Sequence, residues 1–566
     1  MKGKKIIVIG GSAAGPKAAS KAKRVDRKAD VKLFQREPEL SMATCGYPYY
    51  IGGVCDDRNM LIATPAGVKR DINFFINAKG VEAYVETEVV SIDRKKHKIV
   101  CKNFNNAAEA AYEYDKLIIC TGSASKIPPV PGIDLKGITP LTKLKDADYL
   151  RKIRDEKKIK KAVVVGGGLI GLETCEALKL AGIEVTVVEM LPQILPFLEF
   201  DLAKLVENHI RSKGVDIIIN DGVAEFFGEN GGLKYVKLKS GKELSCELAV
   251  LSIGVSPNSK LAADVGLDIG EFNGISVNEY MQTSDPDVYA AGDCVEINNL
   301  ITNKKMYAPF GDLANLEGRV AGENAALGNC VTFNGAIRTG ICKIFDFSAG
   351  CTGLSETAAK NAGFTDIITA VNAGPDKPLF MKPNPLISKI IADKNTNAIL
   401  GYQCIGQGDV SRQISTASVI ITGKMKLDDI INLDLPYAPP FSLAIDHFIA
   451  SAHILQNKLK GRMIGISVRE VYERVAVNKE KVFLLDMRGE NEYEIMRLGI
   501  GEVSIPLGAL TKRFSELPSD KNAEIICFCK VSMRGYEAAV ILNDKGWKNV
   551  KVMEGGVMAW PYSREK

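Results

Sequence analysis

The sequence predicts an α/β chain: several strand–turn–helix units in series, then a mixed segment, then a further α/β unit. Three observations predict it. The stretches KKIIVIGGSAAGPKAASKAKR and KAVVVGGGLIGLETCEALKLAGIEVTVVEM each run a short β-branched strand into a glycine turn and a helix-like segment. Strand-to-glycine segments recur at YDKLIICTGSAS, ELAVLSIGVSPN and TSDPDVYAAGDCVE. The pattern restarts beyond residue 465 with VFLLDMR and EIICFCKVSMRGYEAAV.

Composition sets outer limits. A chain of 566 residues predicts about three to five domains. Its 46% hydrophobic and 25% charged content is that of an ordinary globular protein, and a net charge of +5 gives no argument for nucleic acid. No run of about 18 apolar residues is present, so no membrane partner is expected. The N-terminal MKGKKIIVIGG has a short apolar run ending in glycines and reads as a first strand. Thirteen cysteines without an export signal point to reduced thiols in a cytoplasm. No C-x-x-C pair occurs and only four histidines are present, so no metal site is expected.

In the first unit the strand Ile6–Ile9 ends at Gly10, which allows a tight turn, and Gly15 allows close packing of helix on strand. The helix begins near Ala14, and the N–H groups around Ser12, Ala13 and Ala14 face a potential pyrophosphate. Ser12 stands where a strict G-x-G-x-x-G has its middle glycine. The second strand, DVKLFQRE, ends in Gln35 and Arg36, with Glu37 close by, where an acid holding a ribose is usual.

The second unit carries the full pattern at Gly166, Gly168 and Gly171. Its next strand ends in Glu189, where a carboxylate can accept both ribose hydroxyls. No arginine follows in EMLPQ, so a 2′-phosphate is repelled and NADH is favoured over NADPH.

Two such units suggest two dinucleotides. With the segments holding Thr121 and Gly122, Gly254, and Gly292 and Asp293, the chain over about residues 3–450 resembles the flavin-dependent pyridine nucleotide-disulfide oxidoreductases. The resemblance implies FAD on the first loop, NADH on the second, and Asp293 as an FAD ligand at a point where a helix starts. It also places Glu173 beside the nicotinamide and the flavin.

The resemblance gives Cys45, in SMATCGYPYYIGG, its meaning. Disulfide-reducing members carry two cysteines here, five residues apart; this chain has Tyr50 at the second position. The missing sulfur is then expected from the substrate, with the Cys45 thiolate attacking it. Single-cysteine oxidases and peroxidases use a histidine in the first glycine loop, where Ala13 stands instead. CGYPYYIGG is similar to coenzyme A-disulfide reductases and NADH-dependent persulfide reductases, whose first helix carries cations for coenzyme A phosphates. Lys17, Lys21 and Arg24 fall on one helical face, Lys23 and Arg36 lie nearby, and Lys69 and Arg70 add charge. Residues 331–450 resemble the family's dimerisation domain, which implies a homodimer. Tyr437, in LPYAPPF, is then a candidate acid acting from the partner subunit, and His447 is the alternative.

About residues 462–564 resemble a single rhodanese domain. Cys529 ends a strand and Arg534 follows before a helix, so the intervening loop curls its N–H groups around one anionic sulfur. Asp486 and Arg488 match the structural D-x-R, Ser532 replaces a frequent loop glycine, Leu498 replaces a common histidine, and Cys527 reads as core.

The full expectation is an α/β fold: two Rossmann-like FAD- and NAD-binding domains, an α+β dimerisation domain and a C-terminal α/β rhodanese domain. FAD-binding segments span 1–122 and 249–330, the NADH domain 123–248, the dimerisation domain 331–452, a linker 453–465 and the rhodanese domain 466–566. The resemblance implies an NADH-dependent flavoprotein reducing coenzyme A persulfide or polysulfide at Cys45, with Cys529 handling sulfane sulfur. The alternatives are coenzyme A-disulfide reduction as the main task, or a sulfur carrier or redox sensor with little turnover.

Overall fold

The computed structural model describes residues 3–565. They form two compact units, one of residues up to Met190 with Ile218–Ala336, the other of Leu191–Ile217 with the residues from Ile337 onward.

The first unit holds two parallel sheets. In the first, the order is Val288–Ala290, Lys116–Ile119, Lys5–Ile9, Asp30–Phe34 and Glu82–Tyr84, all parallel. The Ile6–Ile9 run is buried on both faces, as the near-continuous apolar strands of a covered parallel sheet require. In the second sheet, Glu184–Val188, Lys161–Val165, Leu248–Leu251 and Ile138–Pro140 lie side by side, again parallel.

The helix Ala14–Val25 buries a stripe of small residues, Ala14, Ala18 and Ala22. Gly318 and Gly322 of the helix Gly311–Leu327 meet that stripe. A Cβ at Gly318 would lie 2.3 Å from the Ala14 carbonyl oxygen, and one at Gly322 2.2 Å from that of Ala18. The two helices therefore pack backbone to backbone, which only glycine at these positions permits.

After Asp293 the structure departs from the expected helix: the next element is the strand Val295–Asn298. Gly292, at φ +86°, turns the chain, and the Val295 N–H donates to the Gly292 carbonyl. The strand pairs with Ile275–Ser276 and Lys305–Met306, which gives its backbone groups partners.

The second unit holds an antiparallel five-stranded sheet, order Gly340–Ile344, Phe347–Gly353, Ile399–Gly406, Pro385–Asp393 and Ile367–Pro375. The helices Val410–Thr422 and His447–Leu459 accompany it. Residues 453–459, expected in a linker, continue the second of these helices. Asp446 caps it by accepting the Phe448 N–H, and buried Phe448, Ala452 and Leu455 anchor its inner face. The C-terminal sheet runs Gly465–Ile466, Val550–Met553, Ile525–Phe528, Phe483–Asp486 and Val503–Ser504, all parallel. Buried Glu554, at the end of its Val550–Met553 strand, pairs with Lys458 and accepts the Val371 N–H at 2.8 Å, which ties this sheet to the antiparallel one.

Candidate active site

Both glycine loops are built to let a ligand approach backbone. Gly10 takes φ +104° and Gly166 φ +111°, which side-chain-bearing residues rarely adopt. A Cβ at Gly15 would sit 1.8 Å from the Gly10 oxygen, and one at Gly171 2.1 Å from the Gly166 oxygen, so each helix is pressed onto its turn. Open space faces Gly168, Gly122 and Gly254, where an added Cβ meets nothing within 4 Å. These cradles fit two dinucleotides.

The strand ends hold the loops by one device. The Gly167 N–H donates to Glu189 Oε2 at 2.7 Å, and the Gly11 N–H donates to Gln35 Oε1 at 2.8 Å. Gln35 thus replaces an acid in position and in loop contact. Arg36 is exposed and pairs with Glu37 and Glu88. Ser12 and Ala13 are half-buried in the loop, and Ala14 starts the helix.

Asp293 accepts a hydrogen bond from the Ser123 hydroxyl at 2.9 Å, and burial raises its pKa. The Gly292 N–H donates to buried Glu317 at 2.7 Å; burial pushes the Glu317 carboxyl up to about 8. Thr121 donates to the Asn258 carbonyl at 2.6 Å and fixes the turn that carries Gly122. Glu317 and Asn258 carry no local motif and were not found by sequence.

Cys45 lies in the short turn Thr44–Gly46 and keeps an exposed face. Its sulfur is 3.6 Å from the place a Gly311 Cβ would occupy, so glycine leaves that side open. Desolvation by the surrounding protein raises the thiol, and the Glu173 and Asp293 carboxylates add repulsion. The expected thiolate is therefore not favoured by the protein groups alone. Glu173, raised to about 7 by burial, receives the Tyr49 hydroxyl at 3.4 Å. Tyr49 stands four residues after Cys45, so one short stretch of chain links the thiol turn to Glu173.

Tyr50, in the place of a second cysteine, is buried and turned to the helix Leu144–Glu156. Its hydroxyl donates to Asp148 at 3.1 Å, and the Arg151 guanidinium lies over its ring at 5.3 Å. It anchors the helix Tyr47–Gly52.

The cationic face is interrupted. Lys17 and Arg24 are exposed, but Lys21 pairs with Glu323 at 2.9 Å, both side chains being largely covered on the tight helix seam. Lys23 donates to the Ala29 carbonyl. Lys69 is exposed, and Arg70 reaches the Ser41 hydroxyl at 3.3 Å.

In the second unit Tyr437 is 54% exposed. His447 is 6% exposed, its Nε2 lies 2.9 Å from the Ser388 hydroxyl, and burial lowers its pKa to about 4. It is a neutral core histidine, which overturns it as an alternative acid.

In the C-terminal sheet Cys529 follows the strand Ile525–Phe528 and is 0% exposed. Its carbonyl accepts the Val557 N–H at 2.9 Å. Cys527 is buried in the same core, as expected. Ser532 sits at φ +82°, a strained conformation for serine, and donates to the Met553 carbonyl at 2.8 Å. Arg534 opens the helix Met533–Asp544, and its charge is favoured first by the Glu492 carboxylate and then by Cys529. Asp486 and Arg488 form a buried forked pair, Oδ2 to Nη2 at 2.6 Å. Glu492, missed by sequence, takes both Nη atoms of Arg534 at 2.6 and 2.9 Å. Its one local signal is its place three residues after Gly489, whose N–H it accepts at 3.1 Å.

Two dinucleotide cradles with one cysteine between the Gln35 strand and the Tyr50 anchor define a nucleotide-linked thiol oxidoreductase. The chain belongs to the pyridine nucleotide-disulphide oxidoreductase family: that family's model matches residues 4–308, and its dimerisation-domain model residues 339–448. A rhodanese-like domain matches 467–562. The family uses FAD and NAD(P)H. The expected family, fold class and cofactors are thus borne out.

Among known proteins, an NADH oxidase of Methanocaldococcus jannaschii is 32% identical over 81% of this chain and 99% of its own. An NAD(P)H coenzyme A polysulfide/persulfide reductase of Pyrococcus horikoshii is 32% identical over 80% of this chain and 98% of its own. The solved structure of a NAD-dependent persulfide reductase from A. fulgidus matches with a TM-score of 0.93 at 38% identity, over 98% of this chain and 100% of that one.

Proposed function

We propose that the protein uses NADH to reduce the sulfane sulfur of persulfides or polysulfides, coenzyme A persulfide foremost, and releases sulfide. The observation that carries this reading is Cys45 without a protein partner, Tyr50 filling the second position, in one chain with a rhodanese-like domain. The balance is NADH, a proton and R–S–SH giving NAD⁺, R–SH and hydrogen sulfide.

FAD, when bound, supplies the two-electron relay between NADH and the thiol site. The loop with Gly10 and Gly15 holds its pyrophosphate, and Asp293 and Gly292 its ribityl end. Glu189 selects NADH. Cys45 attacks the substrate S–S bond and breaks it: attack on the inner sulfur expels HS⁻ and leaves a mixed disulfide, and attack on the outer sulfur expels R–S⁻ and leaves a persulfide on Cys45. Lys17, Arg24, Lys69 and Arg70 face coenzyme A phosphates, with Lys21 in a supporting ion pair. Tyr437 from a second copy of the chain supplies a proton.

Exposed Tyr437, Phe441, Ile445, Leu379 and Phe380 lie on the residues of the dimerisation-domain match or beside its sheet, which supports a homodimer. Thirteen cysteines, none of them in a disulfide, support a reducing, cytoplasmic setting. Among the described residues no helix is long and apolar enough to cross a membrane.

Coenzyme A-disulfide reduction is the second reading, and the covered Cys529 favours it, because a closed sulfur-accepting site leaves Cys45 to work alone. The test is NADH consumption with coenzyme A persulfide and with coenzyme A disulfide under nitrogen. One sulfide per NADH, with the persulfide the better substrate, supports the proposal; preference for the disulfide refutes it. In a parallel run in air without a sulfur substrate, NADH consumption that outpaces both would make the chain an oxidase, against the Ala13 argument.

A further inference from the structure

The Cys529 site holds a feature that the reduction chemistry does not use. Glu492 occupies both Nη atoms of Arg534, at 2.6 and 2.9 Å, and Arg534 opens the helix that follows the Cys529 loop. Glu492 is itself fixed. Its carboxylate accepts the Gly489 N–H at 3.1 Å, and its carbonyl accepts from Arg488 Nη1 at 3.3 Å. Arg488 in turn is locked by fully buried Asp486. A chain of contacts thus runs from the buried D-x-R pair to the guanidinium at the end of the Cys529 loop.

We propose that Glu492 is a specificity-determining residue of the Cys529 site: by filling the Arg534 fork it turns away dianionic donors such as thiosulfate and reserves the site for thiol-borne persulfides. This rests on the reading that Cys529 accepts sulfane sulfur.

The chemistry follows from the geometry. An Arg fork matches two oxygens of a planar or tetrahedral oxyanion, and its value lies in presenting both Nη atoms at once. Thiosulfate offers such oxygens, and its leaving group, sulfite, keeps them. With Glu492 in place the fork is already matched, and a second carboxylate-type charge beside it repels a dianion. The reacting group of a persulfide, –S–S⁻, has a single charge and no oxygens, so it gains nothing from the fork and loses nothing when it is filled.

The Cys529 sulfur attacks the outer sulfur of R–S–S⁻. The S–S bond of the donor breaks, a new S–S bond forms on Cys529, and R–S⁻ leaves and takes up a proton. The sulfane sulfur keeps its oxidation state, so no oxidant or reductant is consumed. The hydrogen bonds from Arg534 hold the Glu492 carboxyl down to about 2, so the clamp stays ionised across the neutral range.

The test compares the full-length, FAD-loaded protein with Glu492→Gln and Glu492→Ala, without NADH. The donors are thiosulfate and glutathione persulfide. Sulfur on Cys529 is read by mass after alkylation, and turnover by thiocyanate formed from cyanide. The wild type is expected to favour glutathione persulfide in kcat/KM by about a hundredfold or more. Both variants are expected to gain about tenfold or more with thiosulfate, with persulfide use changed by less than about threefold. Unchanged thiosulfate use in both variants overturns the inference, as does loss of both donors, which would make Glu492 a positioning residue for Arg534. Melting temperature and NADH reduction of the FAD identify a misfolded variant, and the second substitution then decides. If no donor loads Cys529 in any of the proteins, the sulfur relay fails as well, whereas NADH-driven reduction at Cys45 is read separately and stands or falls alone.

Discussion

The Gly167 N–H donates to Oε2 of Glu189 at 2.7 Å, so the acid at the strand end reads its own glycine loop before it meets any nucleotide. Gln35 does the same for Gly11 in the first loop at 2.8 Å. The two side chains share a position and differ in charge. On the proposed reading, Glu189 faces the adenosine ribose of the nicotinamide dinucleotide, where a carboxylate repels a 2′-phosphate. NADH is expected to exceed NADPH in kcat/KM by about tenfold or more, about 1.4 kcal/mol. Glu189→Gln keeps an acceptor for the Gly167 N–H and removes the charge, so it should narrow that ratio while leaving the loop intact. A ratio near one in the wild type would show that Glu189 does not face the ribose.

Replacing Cys45 with serine removes the thiol from the cleft shared by Glu173, Asp293 and Gly311. NADH should still bleach the flavin in a stopped-flow trace. Sulfide release from coenzyme A persulfide should fall by about a thousandfold or more, the scale of losing a nucleophile. Turnover near the wild-type rate in Cys45→Ser would refute the mechanism.

Glu173 carries a pH dependence whose sign can be worked out. Its carboxyl is raised to about 7, chiefly by burial. Below that pH it is neutral and spares Cys45; above it the carboxylate repels a developing thiolate and holds the thiol higher. Glu173→Gln should therefore shift the pH profile of Cys45 alkylation by iodoacetamide to lower pH and remove an inflection near 7. Tyr49→Phe deletes a donor that favours the ionised form, so it should move that inflection upward. Identical profiles for all three proteins would separate Glu173 from Cys45.

Much of this was legible because the signals are local. Gly166, Gly168 and Gly171 announce a loop within six residues, and the D-x-R of Asp486 and Arg488 announces its own ion pair. What escaped depends on partners far along the chain. Lys21 shares a helical face with Lys17 and Arg24, yet Glu323 on a helix three hundred residues on neutralises it. His447 reads as an available acid, but Ser388 on the antiparallel sheet claims its Nε2 in the core. The stretch 456–465 reads as basic and poorly patterned, yet the helix His447–Leu459, with Leu455 turned inward, runs through its first residues. The Asp293 turn reads as a place where a helix could start, because Gly292 announces a turn without saying whether helix or strand follows.

The two thiol sites are expected to work in series. Cys529 follows a strand of the parallel C-terminal sheet, and Cys45 lies in the unit that carries both dinucleotide loops. Nothing chemical obliges them to fail together. Cys529→Ser should lose sulfur transfer from polysulfide while keeping NADH-driven reduction of preformed coenzyme A persulfide. Cys45→Ser should do the reverse, with Cys529 still loaded by donor and sulfide release lost. Residues acting as one unit would instead lose both activities with either change. Neutralising Lys17 and Arg24 adds a third arm. Exposed charge contacts contribute about 1 kcal/mol or less each, so KM for coenzyme A species should rise about severalfold while small polysulfides are spared. Should Cys529→Ser match the wild type with every donor, the C-terminal domain would be a docking appendage and Cys45 alone would carry the chemistry.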